Sequence, residues 1–81
     1  MMNELSLEEY LELKGKVLNL IKGSEKRLTL KQIAGKIKGN VDDALQIIYD
    51  LQSDNHLVDL LPFEENGRDN QSKWEVEYYG D

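Results

Sequence analysis

An α+β fold is predicted for this chain by three features of its sequence. Residues 30–38 and 41–54 carry apolar side chains at helical spacing on either side of a Gly39-Asn40 corner. Residues 6–22 make a longer amphipathic segment, and residues 73–79 alternate polar and apolar, as a half-buried strand does. A short strand and a C-terminal β-hairpin then complete three helices.

The first helix opens at Ser6, which is followed by Glu9 as in a capping box, and runs to about Lys22 before Gly23-Ser24. Its apolar residues Leu7, Tyr10, Leu11, Leu13, Val17, Leu18, Leu20 and Ile21 cover about half the helix circumference, with Lys14 near the middle of that arc. A lysine so placed keeps its ammonium wet above a buried stem. The arc therefore reads as two adjacent faces, one for the core and one either for a partner or for coverage within the monomer. The partner reading predicts a homodimer through Leu7, Leu11 and Leu18, because so much aliphatic surface is poorly left in water.

A loop, residues 23–27, leads into a short strand at 28–30. Thr29 caps the second helix, in which Leu30, Ile33, Ala34 and Ile37 form the apolar side and Gly39 is expected to mark the end. Asn40 caps the third helix with Asp43 three residues on, and Val41, Ala44, Leu45, Ile48 and Leu51 form its stripe. Asn55 is expected to close it in a left-handed conformation. Two amphipathic helices separated only by a Gly-Asn corner cannot lie in line, which is helix-turn-helix geometry.

Residues 56–63 read as a strand ended by Pro62, and 64–72 as a polar, turn-rich loop. In 73–79, Trp74, Val76 and Tyr78 take one face and Glu75, Glu77 and Tyr79 the other. The expected core is Leu13, Val17, Ile21, Ile33, Ala34, Ile37, Leu45, Ile48, Leu51, Val58, Trp74 and Val76.

The pattern Leu28-Thr29, Ile33-Ala34, Ile37, Val41, Ala44, Ile48, Leu51 and Leu57-Val58 resembles the buried positions of the winged helix-turn-helix superfamily. The resemblance covers nearly the whole chain and implies a single winged-helix domain whose helix 41–54 is the recognition helix and whose strands 56–63 and 73–79 form the wing. It is specific for fold and poor for function, since the superfamily includes gene regulators and modules that bind only protein.

Composition bounds the function further. The 81 residues suit one small domain, and 40% hydrophobic with 32% charged residues indicates a globular protein. There is no cysteine, hence neither disulfide nor thiolate metal site, and a reducing interior suits such a chain. The acidic start and the lack of a long apolar run predict a cytoplasmic protein with no membrane segment. His56 has no second histidine nearby, and the pairs Glu8-Glu9, Asp42-Asp43 and Glu64-Glu65 diverge by about 100° wherever they lie on a helix. The loop acids and amides at 64–70 lack the alternating ligands of a calcium loop. No nucleophile and base, cofactor loop or metal cluster is recognisable, so the chain is expected to be no enzyme and to hold no cofactor.

The net charge of −6 is unevenly distributed. Residues 14–38 hold eight of the ten Lys and Arg against Glu25 alone, between acidic segments on both sides. With the stripe inward, helix 41–54 would show Asp42, Asp43, Gln46, Tyr49, Asp50 and Ser53 to solvent, without a base. Two functions follow. In the first, a DNA-binding transcription regulator touches duplex phosphates through Lys31, Gln32, Lys36, Lys38, Arg68 and Lys73 and reads bases with Gln46 and Tyr49. In the second, a protein-interaction module faces a basic partner with its acidic helix and uses the apolar face of the first helix.

Overall fold

The computed structural model describes residues 6–56 and 58–79; the expected burial of Leu57 lies outside them. The chain runs α1 (Leu7–Lys22), β1 (Leu28–Thr29), α2 (Leu30–Ile37), α3 (Val41–Ser53), β2 (Val58–Leu61), β3 (Glu64–Glu65), β4 (Arg68–Asp69), a 3-10 turn (Gln71–Lys73) and β5 (Glu75–Tyr78). Three helices pack against an antiparallel sheet, so the class is α+β.

Each helix begins at the expected cap. Ser6 Oγ accepts from the Glu9 amide at 3.1 Å, and Thr29 and Asn40 each close a reciprocal capping box, with Gln32 and Asp43 respectively. The ends differ in one respect. The left-handed residue that closes α2 is Lys38 at φ 57°, not Gly39, and Asn55 at φ 66° closes α3 as expected. The amide of Gly39 donates to Ala34 O and that of His56 to Leu51 O, so both helices finish in the same six-to-one hydrogen-bonded turn. At Gly39 a Cβ would lie 3.1 Å from Asp43 Oδ2, inside the cap of α3, so that carboxylate would have to shift to admit it.

The three-stranded sheet has the order β1-β5-β2, with Leu28 opposite Val76 and Leu60 opposite Val76 on the other side. The long C-terminal hairpin is therefore correct in pairing but narrower than expected: its first strand spans Val58–Leu61, and Lys73 belongs to the 3-10 turn. The intervening segment is no open loop. Asn66 and Gly67, both at positive φ, turn a second hairpin in which Glu64 faces Asp69 and Glu65 faces Arg68. The outer edge of β2 is covered by its own neighbours, since Val58 N donates to His56 O, Gln52 Nε2 to Val58 O, and Leu60 N to Asp59 Oδ1. Such cover leaves little for another strand to pair with.

The buried core is Val17, Ile21, Leu30, Ile33, Ala34, Ala44, Ile47, Ile48, Leu51, Val58, Trp74 and Val76. Leu30, Ala44 and Ile47 join the expected set, while Leu13, Ile37 and Leu45 are only partly buried around it. The inward stripe of α3 is centred on Ala44, Ile47, Ile48 and Leu51. That rotation sets the direction in which the opposite face points.

Candidate nucleic-acid interface

At about 100° per residue, a stripe through Ala44, Ile47, Ile48 and Leu51 leaves Asp42, Gln46, Tyr49 and Ser53 pointing outward, and all four are exposed. Two of the acids expected on that face are not free there. Asp43 is half-buried in the capping box, and Asp50 accepts a hydrogen bond from the Tyr10 hydroxyl of α1. One turn along both helices, Lys14 of α1 bonds Asp54 at the end of α3. Burial, then the bond to Asp50, raises the Tyr10 hydroxyl above the ordinary phenol range, whereas the hydrogen bond from Lys14 holds Asp54 below the ordinary carboxylate range.

This α1 to α3 ladder was available as a signal, because Tyr10 and Lys14 are four residues apart, as are Asp50 and Asp54. Neither Tyr10 nor Asp54 figured among the expected contacts. Their pairing ties the flank of α3 to α1. Gln46, a candidate base reader, donates to Asp50 Oδ1 at 3.3 Å, and Tyr49 stands 46% exposed beside half-buried Leu45.

Two of the expected phosphate contacts lie on α2 and point apart. Lys31 and Lys36, five residues apart on α2, project about 140° from each other. Lys36 lines a groove between α1 and α2 with Lys16, Val17, Asn19, Leu20 and Ile37. Lys38 sits at the α2–α3 turn and is exposed. The Gln32 carboxamide oxygen accepts from the Thr29 amide at 2.8 Å, so that atom is committed to the helix cap.

In the C-terminal hairpins one of the two cations, Lys73, faces a carboxylate. Lys73 Nζ lies 2.9 Å from Glu65 Oε2 and 5.2 Å from the centre of the Phe63 ring. The hydrogen bond from Lys73 pulls the Glu65 carboxyl below its usual range. Arg27 bridges Glu75 at 3.7 Å and Glu77 at 3.3 Å on β5. Arg68 is exposed and shares a cleft with Glu65 and Asp69.

On α1, Leu7 and Leu11 are 74% and 50% exposed, while Leu18 is partly covered by the core. Among the described residues no group of three or more His, Cys, Asp or Glu converges as a metal site, and no helix is long and apolar enough to cross a membrane. No protein-family model, curated protein or solved structure matches the chain.

Proposed function

We propose that this chain is a winged-helix module that binds a protein partner through the outward face of α3, in preference to duplex DNA. The winged-helix reading rests on the element order, the short strand β1 beside β5, and the hairpin formed by β2 and β5. The observation that carries the choice of ligand is that the face made by Asp42, Gln46, Tyr49 and Ser53 holds no cation. Duplex phosphates supply most non-specific affinity, and a helix entering the groove with a carboxylate and no base loses that contribution. Of the two hairpin cations, Lys73 already faces Glu65, and Arg68 is exposed beside Glu65 and Asp69.

The same face suits protein. A half-exposed tyrosine next to Leu45, rimmed by an acid and an amide, combines an aromatic anchor with polar surroundings, as interface hot spots do. Asp42 points to a partner with a basic rim. The test is a photo-reactive phenylalanine analogue placed at Tyr49. A discrete protein adduct, lost in an Asp42→Lys background, is expected, together with unchanged amide shifts when mixed-sequence duplex is added at low salt. Duplex-induced shifts on α3 at micromolar concentration would overturn the reading in favour of DNA contacted from Lys31 and Lys38.

A further inference from the structure

The charges of α1 fall in two blocks. Glu8, Glu9 and Glu12 occupy its first half, Lys14, Lys16 and Lys22 follow, and no acid intervenes between Glu12 and Glu25. At about 100° per residue, Leu7, Leu11, Gly15, Leu18 and Lys22 lie within an arc of about 80°, with Glu8 at its border. This is the side on which Leu7 and Leu11 stand exposed.

Gly15 lies at the middle of this 16-residue helix, and a Cβ built on it would meet nothing within 4 Å. Packing inside the chain therefore gives no reason for a glycine, which weakens a helix interior relative to alanine. A second backbone approaching at that point would give one.

We propose that α1 of a second copy packs antiparallel on this face, about a two-fold axis passing close to Gly15. Glu8 and Lys22 are each seven residues from Gly15, so the two-fold places Glu8 of either copy beside Lys22 of the other, twice per dimer. Leu11 lies four residues before the axis and Leu18 three after, so these two meet across it, and Leu7 covers the stem of the opposing Lys22. A parallel arrangement would set Glu8 against Glu8 and Lys22 against Lys22; the block pattern selects the antiparallel one.

The glycine lets the helix axes approach at the short end of the usual range of about 8–10 Å. Lys14 takes no part, being held by Asp54. The ammonium of Lys22 sits 5.7 Å from the centre of the Tyr78 ring, which steadies the side chain while leaving donors for a carboxylate. The contact is self-complementary, so it closes at two copies. It does not depend on what α3 binds.

Sedimentation equilibrium of the full chain decides. The wild type is expected to sediment as a dimer at micromolar concentration. Glu8→Lys and Lys22→Glu each convert two attractive contacts to repulsive ones and should raise the dimer Kd about tenfold or more, while the double variant should return close to the wild-type value. Gly15→Leu should give monomers with unchanged helical circular dichroism, since the space beside Gly15 is open in the single chain. A wild type that stays monomeric at 100-fold higher concentration, a dimer indifferent to Gly15→Leu, or a charge swap without rescue would each overturn the proposal.

Discussion

The hydroxyl of Tyr10 donates to Asp50 Oδ2 across forty positions of sequence, on the flank of α3, whose rotation is set by the buried Ala44, Ile47, Ile48 and Leu51. It draws one acid of α3 toward α1, and Lys14 draws a second, Asp54. What remains outward is a short face with Tyr49 at its middle.

Tyr10→Phe removes the donor and leaves Asp50 partly buried without it, which should lower stability by about 1 kcal/mol in urea unfolding. The pH dependence has a definite sign. A phenol raised above its ordinary value of 10.0 keeps its full contribution below that pH and loses it as pH climbs toward the folded-state value. Asp54, held below its ordinary 3.8, contributes above that pH and loses its contribution as pH falls further. The wild type should therefore lose more stability than Tyr10→Phe between pH 10 and higher values, and more than Lys14→Met on acidification below pH 4. Unfolding midpoints of the three proteins measured across pH check both.

Lys38 adopts φ 57° with a full side chain where glycine is the usual occupant. Lys38→Gly should stabilise the fold by about 0.5–1 kcal/mol, a rise in melting temperature of roughly 4–8 °C per kcal/mol for a domain this small. Gly39→Ala should give no comparable rise, because its Cβ would press on Asp43 at 3.1 Å. Thermal melts of the two variants check this: the rise is expected for Lys38→Gly alone.

Ile47 is fully buried between α3 and its neighbours. Ile47→Ala should cost about 2–5 kcal/mol, and Leu45→Ala, at a half-buried position, clearly less. Equal losses in guanidinium unfolding would contradict the rotation assigned to α3.

Local chemistry made the helices legible in the sequence. Ser6, Thr29 and Asn40 cap where their spacing to Glu9, Gln32 and Asp43 implies, and Asn55 takes the left-handed turn expected of it. The alternation of Trp74 and Val76 likewise placed both in the core. Misreadings arose where a neighbour decides. Ile47 and Ile48 are both apolar, and only the packing of α3 in the folded core shows that both face inward. Asp50 looked solvent-facing because its partner is Tyr10, far away in sequence. The two-residue strand β1 acquires its role only by pairing with β5. Asn66-Gly67, in contrast, is a readable hairpin signal within the polar segment 64–72. For the candidate site, residue types were legible but not their pairing: nothing local shows that Lys73 is spent on Glu65 or Arg27 on Glu75 and Glu77.

That pairing leads to a test of how far this chain is from binding DNA. Glu65→Gln frees Lys73, and Asp42→Asn removes the outward carboxylate of α3; neither side chain is part of the core. The wild type is expected to bind mixed-sequence duplex too weakly to measure at low salt, because Lys73 already faces Glu65 and Lys31 and Lys36 project about 140° apart on α2. The double variant should gain weak binding whose affinity falls steeply with salt, and Lys73→Ala in that background should flatten the slope by about one unit, since one phosphate contact is lost. Fluorescence anisotropy with a labelled duplex at two or more salt concentrations reads all three proteins. Tight, salt-dependent binding by the wild type would mean that the Glu65–Lys73 pair opens to accept phosphate, and the protein-binding assignment of α3 would fall with it.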